Sequence, residues 1–305
     1  MRRHLSFFVA AALTCFAGNL SGKTPEGKQK LVMIAGKPSH PPRLHEFRAG
    51  SLLLQKVLAG TPDLTVEVHE RGWVKDEKTF EDADAVVIYA DGGGGHPALQ
   101  GDHLAKLGAL IQRGVGFGCM HYGVEVPPDK GSAEFKQWIG GHYENMYSCN
   151  PIWEPSFEKF PEHPITRGVK PFQIKDEWYF NMRFADAFPE GKAAQAGGQK
   201  FTPLLVAKPS DAVRKGPYVH PKGPYPHIQE ASGRDEAMMW SLERADGGRG
   251  FGFTGGHFHD NWGNDDFRKT VLNALLWVAK VEVPATGVQS KVEKEELDLN
   301  LEPKK

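Results

Sequence analysis

The sequence predicts an α/β fold built on a doubly wound, mostly parallel sheet with helices on both faces. Three observations carry that reading. Short apolar runs alternate with segments of helical periodicity from Leu31 to Met120, the order that a parallel sheet requires. The run from Asp84 to Ala90 is almost wholly apolar, as a strand covered on both faces must be. These runs stop at glycine, histidine or aspartate, so polar loops gather where strands end.

The elements follow in order. Arg2 and Arg3 precede an apolar stretch, Phe7 to Leu13, that is too short to cross a bilayer, and small residues come next. Residues 1–17 therefore read as a signal peptide cleaved after Ala17, with Gly22 as the alternative site, and the mature chain is expected in the periplasm or outside the cell. Residues 18–29 read as a flexible leader, 30–281 as one domain and 282–305 as a disordered tail, because the end of the chain is a charged run behind Pro284 and Gly287. Within the domain, strands are expected at Leu31–Ala35, Thr65–Val68, Asp84–Ala90, Gly114–Met120, Phe172–Phe180, Thr202–Ala207, Ala237–Leu242 and Gly250–Thr254. Helices are expected at Arg43–Leu58, Leu104–Ile111 and Asp265–Ala279, each with apolar residues at helical spacing. Prolines and glycines crowd Ser210 to Gly233, which reads as a long surface excursion.

Bulk composition narrows the partners. With 37 Lys and Arg against 38 Asp and Glu, the formal net charge is -1, and no overall field draws the chain to nucleic acid or acidic lipid. Behind the signal peptide only Cys119 and Cys149 remain, which is no disulfide framework; both read as small buried side chains.

Chemistry concentrates at strand ends. Gly118-Cys119-Met120-His121-Tyr122-Gly123 closes a buried strand and can present His121 on a sharp turn, where an imidazole serves as general base, general acid or metal ligand. Gly255-Gly256-His257-Phe258-His259 follows another strand, and at spacing two only one of His257 and His259 need face a pocket. The first strand runs into His40, Pro41, Pro42, His45 and Glu46, a loop stiffened by its prolines. Asp91 to His96 is glycine-rich but lacks the lysine and hydroxyl of a phosphate-binding loop. Asp176 and Glu177, on opposite faces of a strand, stand among Trp178, Tyr179 and Arg183. All of these fall where ligands bind in an open α/β sheet, beyond the carboxyl ends of its strands.

The His45-Glu46 loop, the glycine run to His96, Gly-Cys-Met-His-Tyr-Gly at His121, Asp176-Glu177-Trp178-Tyr179 and Gly-Gly-His-Phe-His ending at His259 resemble the ThuA-like, trehalose-utilisation family, from about Leu31 to Lys280. The resemblance implies a flavodoxin-like core similar to class I glutamine amidotransferases. In those enzymes a cysteine occupies the elbow, and a later histidine is followed two positions on by glutamate. Here His121 stands in place of the cysteine and His259 in place of the glutamate, so thiolate chemistry through an acyl intermediate is not expected. The family's association with sugar catabolism implies a carbohydrate partner and a hydrolase, lyase or isomerase acting on a disaccharide, glycoside or keto-sugar. The expected catalytic groups are His121, His257 and Glu177, with His40, His45, Glu46, His96, Tyr122, Asp176, Trp178, Arg183 and His259 binding substrate. A divalent metal such as zinc is an open alternative, with His40, His45, His121 and His257 as its candidate ligands. The competing function is a non-catalytic carbohydrate-binding module.

Overall fold

Alternate side chains of the first strand enter two different cores, Leu31, Met33 and Ala35 on one face and Val32 and Ile34 on the other. That alternation fixes a sheet buried on both sides. The computed structural model describes residues 27–304. Its main sheet has eight strands: β1 (Gln29–Ala35), β2 (Leu64–His69), β3 (Ala85–Tyr89), β4 (Gly116–Met120), β5 (Ala194–Ala196), β6 (Gln199–Ala207), β7 (Glu236–Glu243) and β8 (Arg249–Phe253). The spatial order is β5-β6-β7-β8-β4-β3-β1-β2. Strands β2, β1, β3, β4 and β8 run parallel, and β7, β6 and β5 extend the sheet antiparallel. The order β2-β1-β3-β4-β8 is the flavodoxin-like arrangement, in agreement with the sequence reading.

Helices α1 (Phe47–Leu58) and α6 (Asp265–Val278) bury Leu53, Leu54, Phe267 and Val271 on one face. Helices α2 (His103–Gln112) and α3 (Ser132–Trp138) bury Leu107 and Phe135 on the other. Asn264 caps α6 by accepting from the N–H groups of Asp266 and Phe267, which explains its sharp start.

Register does the positioning. Ala35 pairs with Tyr89, Tyr89 with Met120 and Met120 with Phe253, so four parallel strands finish in one row. The segments that leave them therefore emerge side by side. Leu44 and Phe258 form an isolated bridge that ties the first loop to the last.

Three expectations change. The stretch 172–180 is not one strand: Phe172–Gln173 and Asp176–Glu177 pair as two residues each, against Ser156–Phe157 and Ile152–Trp153, and Phe180 forms an isolated bridge with Cys149. The excursion 210–233 carries two short helices, α4 (Asp211–Lys215) and α5 (Pro226–Glu230). The tail is not disordered through 304. Val283, Val288 and Leu297 are buried, Glu293 and Glu296 form a capping box on a helical turn, and Lys304 pairs with buried Glu46 at 3.2 Å. Sparse apolar residues anchor a segment whose charge pattern reads as solvated. The signal peptide and most of the leader lie outside the described residues, although Gln29 already belongs to β1.

Candidate functional site

Three imidazoles from distant parts of the chain meet at the carboxyl ends of the parallel strands. His45 Nε2 lies 2.9 Å from His121 Nε2 and 3.0 Å from His257 Nδ1, and His121 Nε2 lies 3.3 Å from His257 Nδ1. Glu177 joins them, its Oε2 standing 2.7 Å from His257 Nδ1 and 3.7 Å from His121 Nε2. The four residues are buried, and their ligand atoms lie within 4.8 Å of one another.

Each is held from behind. His121 begins the turn after β4 with φ 52°, a left-handed conformation that few side chains adopt, and its Nδ1 lies 3.0 Å from the Thr254 carbonyl. His45 is also left-handed, at φ 48°. Its backbone N–H donates to the His257 carbonyl at 3.1 Å, and its Nδ1 lies 2.8 Å from Asp91 Oδ1. Asn150 Nδ2 donates to Glu177 Oε1 at 2.9 Å. Asp176 accepts from the backbone N–H groups of Gly256 at 2.7 Å and His257 at 3.0 Å, which fixes the loop carrying His257. Backbone strain of this kind persists only where surroundings enforce it, and it gathers at functional sites.

Burial sets the electrostatics. It drives His45 and His121 far below the usual imidazole range, and the neighbouring histidines push the same way. It raises the carboxyls of Glu177 and Asp91, although their hydrogen-bond partners His257 and Ser39 oppose it. His45 and His121 are thus held as neutral rings beside carboxyls that burial shifts upward.

Above the cluster opens a half-enclosed cavity of about 490 Å³ lined by His40, His45, Gly92 to Gly95, Tyr122, Glu125, Asn145, Asn150, Glu177, Tyr179, Val219 and His220. Among the described residues no lysine or arginine lines it. Gly92 has to be glycine, because a Cβ there would collide with the Tyr122 carbonyl. Burial, reinforced by Glu177, pushes the Glu125 carboxyl up to about 7. Among the described residues its carboxyl has no hydrogen-bond or ion-pair partner.

Several residues expected to bind substrate stand elsewhere. His96 is fully buried, with Nε2 2.9 Å from the Gly123 carbonyl and Nδ1 accepting from Ala98 N–H at 3.0 Å; burial lowers it to about 4. Glu46 accepts from Arg43 N–H at 2.9 Å and pairs with Lys304, so it braces the loop. Asp176 is the loop anchor described above. Trp178 is core, its Nε1 donating to the Ile174 carbonyl at 3.1 Å. Arg183 forms a two-pronged pair with Glu144, at 3.0 and 2.6 Å, and lies over Tyr147. His259 is buried outside both cluster and cavity. Of the candidate metal ligands, His40 stacks on His45 at 3.6 Å between ring centroids but lies outside the cluster, whereas Glu177 belongs to it. Glu125, Asn145, Asn150, Tyr179, Val219 and His220 are pocket residues that the sequence reading does not single out; Tyr179 belongs to the Asp176-Glu177-Trp178-Tyr179 motif, and Glu125 lies four residues past His121.

Residues 40–278 match the ThuA family, described as trehalose utilisation. The chain belongs to the ThuA family. This ThuA chain is similar in fold to a ThuA-like protein from Bacteroides uniformis, with TM-score 0.56, 13% identity and coverage of 86% of this chain and 95% of that one. A ThuA-like protein from Parabacteroides merdae gives TM-score 0.53 and 15% identity, covering 88% of this chain and 94% of its own. No curated protein matches this chain. Among the described residues no helix is long and apolar enough to cross a membrane.

Proposed function

We propose that this ThuA protein is an exported enzyme that modifies a neutral carbohydrate, a disaccharide, glycoside or keto-sugar derivative, in the cavity over His121. The observation that carries the reading is the convergence of His45, His121, His257 and Glu177, from four separated segments, in one buried cluster whose His45 and Glu177 line a polar cavity. Its volume of about 490 Å³ lies within the common range for small-molecule sites. The wall offers hydroxyl, amide, carboxyl and backbone groups without a cation, which suits a polyol and gives a phosphorylated sugar no counter-charge. The family's description, trehalose utilisation, points to the same substrate class.

The wall and the cluster divide the work. Glu125, held up to about 7, can give and take a proton at neutral pH, which fits it to a sugar oxygen that gains or loses hydrogen in the reaction. His121 and His257 act through the buried cluster they form with His45 and Glu177, which present it to the cavity, and Asn145, Asn150, Tyr122 and His40 orient the sugar hydroxyls. Incubation with trehalose, other disaccharides and their keto derivatives, followed by mass spectrometry, tests the proposal. A converted product that disappears in a folded His121→Ala variant supports it. Tight binding of a sugar recovered chemically unchanged makes the chain a binding module and overturns it.

A further inference from the structure

We infer that His45, His121, His257 and Glu177 form a binding site for one divalent transition-metal ion, with His45 Nε2, His121 Nε2, His257 Nδ1 and Glu177 Oε2 as the four donors. The inference takes the location of the site from the proposed function and nothing of its substrate.

The argument is a count of hydrogens. A neutral imidazole carries one N–H. His121 Nδ1 faces the Thr254 carbonyl, which can only accept, so the proton is on Nδ1 and Nε2 is bare. His45 Nδ1 faces the Asp91 carboxylate, which accepts a hydrogen bond from Nδ1–H, so the ring's one proton is on Nδ1 and Nε2 is bare. These two bare nitrogens point at each other across 2.9 Å. The other hydrogen donors nearby have longer contacts to these nitrogens: the Tyr179 hydroxyl is 3.3 Å from His121 Nε2, and His257 Nδ1, 3.0 Å from His45 Nε2, has the Glu177 carboxylate nearer at 2.7 Å. Exchanging either tautomer to bridge the gap breaks the bond to Asp91 or to Thr254. Two lone pairs held face to face in a buried site repel, and a cation between them turns repulsion into coordination.

The spacing agrees. Four ligands at about 2.0–2.1 Å around a tetrahedral zinc lie about 3.3 Å apart. Five of the six donor pairs lie 2.7, 2.9, 3.0, 3.3 and 3.7 Å apart, a range that spans that value, and the sixth lies within 4.8 Å. Three of the four ligands have the backing that orients metal-bound groups: Asp91 behind His45, the Thr254 carbonyl behind His121 and Asn150 behind Glu177. Three imidazoles and one carboxylate select a zinc-like ion over magnesium, which prefers an all-oxygen shell. His40 is not among these four donors; it groups instead with His45 and Asp91.

The full chain, stripped with EDTA and dialysed, is titrated with Zn²⁺ or Co²⁺ alone, and metal content is read by mass spectrometry. We expect one Zn²⁺ per chain, a visible Co²⁺ absorption band saturating at one equivalent, and no uptake of Mg²⁺. His45→Gln and His121→Gln abolish stoichiometric uptake and His40→Gln preserves it, while Asp91→Asn weakens affinity about 10- to 100-fold. Zn²⁺ uptake by the native chain no greater than by folded His121→Gln overturns the inference. Where the glutamine variants fail to fold, the native chain decides: a featureless Co²⁺ spectrum through several equivalents overturns it. One Zn²⁺ per chain without sugar conversion contradicts the proposed function alone; sugar conversion by a chain that takes up no metal contradicts this inference alone.

Discussion

Two cavities with buried histidines differ in how they use them. The larger, about 560 Å³, opens beside Phe160 to Val169, and its His163 spends both ring nitrogens on structure. Nδ1 accepts from Ile165 N–H at 3.1 Å, Nε2 sits 3.3 Å from Ser241 Oγ, and the ring meets Trp277 edge-on. The smaller cavity, about 490 Å³, lies over His121, whose Nε2 faces other bare or acidic groups. Burial lowers both histidines, His163 to about 4. A depressed imidazole or a large void therefore does not mark a site; what sets His121 apart is a nitrogen that faces two other imidazoles and a carboxyl.

The comparison is sharpest in paired variants. His121→Ala should lower sugar turnover by about 10²-fold or more in a chain whose circular dichroism is unchanged, because it removes a member of the cluster on which the proposed chemistry rests. His163→Ala should leave turnover within about twofold and cost about 1–3 kcal/mol in denaturant unfolding, since it orphans a buried N–H. Equal losses of turnover would erase the distinction between the cavities. Lys304→Met extends the contrast to the loop that carries His45. It strips buried Glu46 of its counter-charge, and a loss of about 3 kcal/mol at pH 7 is expected. An unchanged unfolding midpoint would show that the tail braces nothing.

A smaller effect separates Glu125 from carboxylates that hold ion pairs. Its folded value, about 7, stands above the ordinary carboxyl range, so between roughly pH 4.5 and 7 the folded chain keeps a proton that the unfolded chain has released. Its contribution therefore makes stability fall as pH rises through that window. Glu125→Gln removes this fall, and the variant should gain on the native chain between pH 5 and pH 8 in thermal unfolding. A constant difference across the window would mean that Glu125 ionises as an exposed carboxyl does.

Where periodicity ran long, the fold was legible in the sequence. Apolar runs at Leu31–Ala35, Asp84–Ala90 and Gly114–Met120 and the stripe of α6 each match an element to within a few residues. The parallel rule then placed His45, His121 and His257 at one sheet edge. Two-residue strands such as Asp176–Glu177 leave no periodic trace, so the middle of the chain was not legible. Neither was the division of labour among polar residues. Asp176 and Glu177 are adjacent, yet one anchors backbone N–H groups and the other enters the cluster, a difference set by the pleat. His96 reads like a site residue, and only the Gly123 carbonyl and the Ala98 N–H explain why it is not one. Val219 and His220 reach the cavity from a proline-rich segment whose path no local pattern announces.

The placement of hydrogens on His45 and His121 tests the account most directly, and long-range nitrogen-proton NMR on the histidine side chains of the metal-stripped chain reads it. The account predicts both rings protonated at Nδ1 with Nε2 bare. A proton found on Nε2 of either ring would contradict it, because the two nitrogens would then satisfy one another and the cluster would hold an ordinary hydrogen bond.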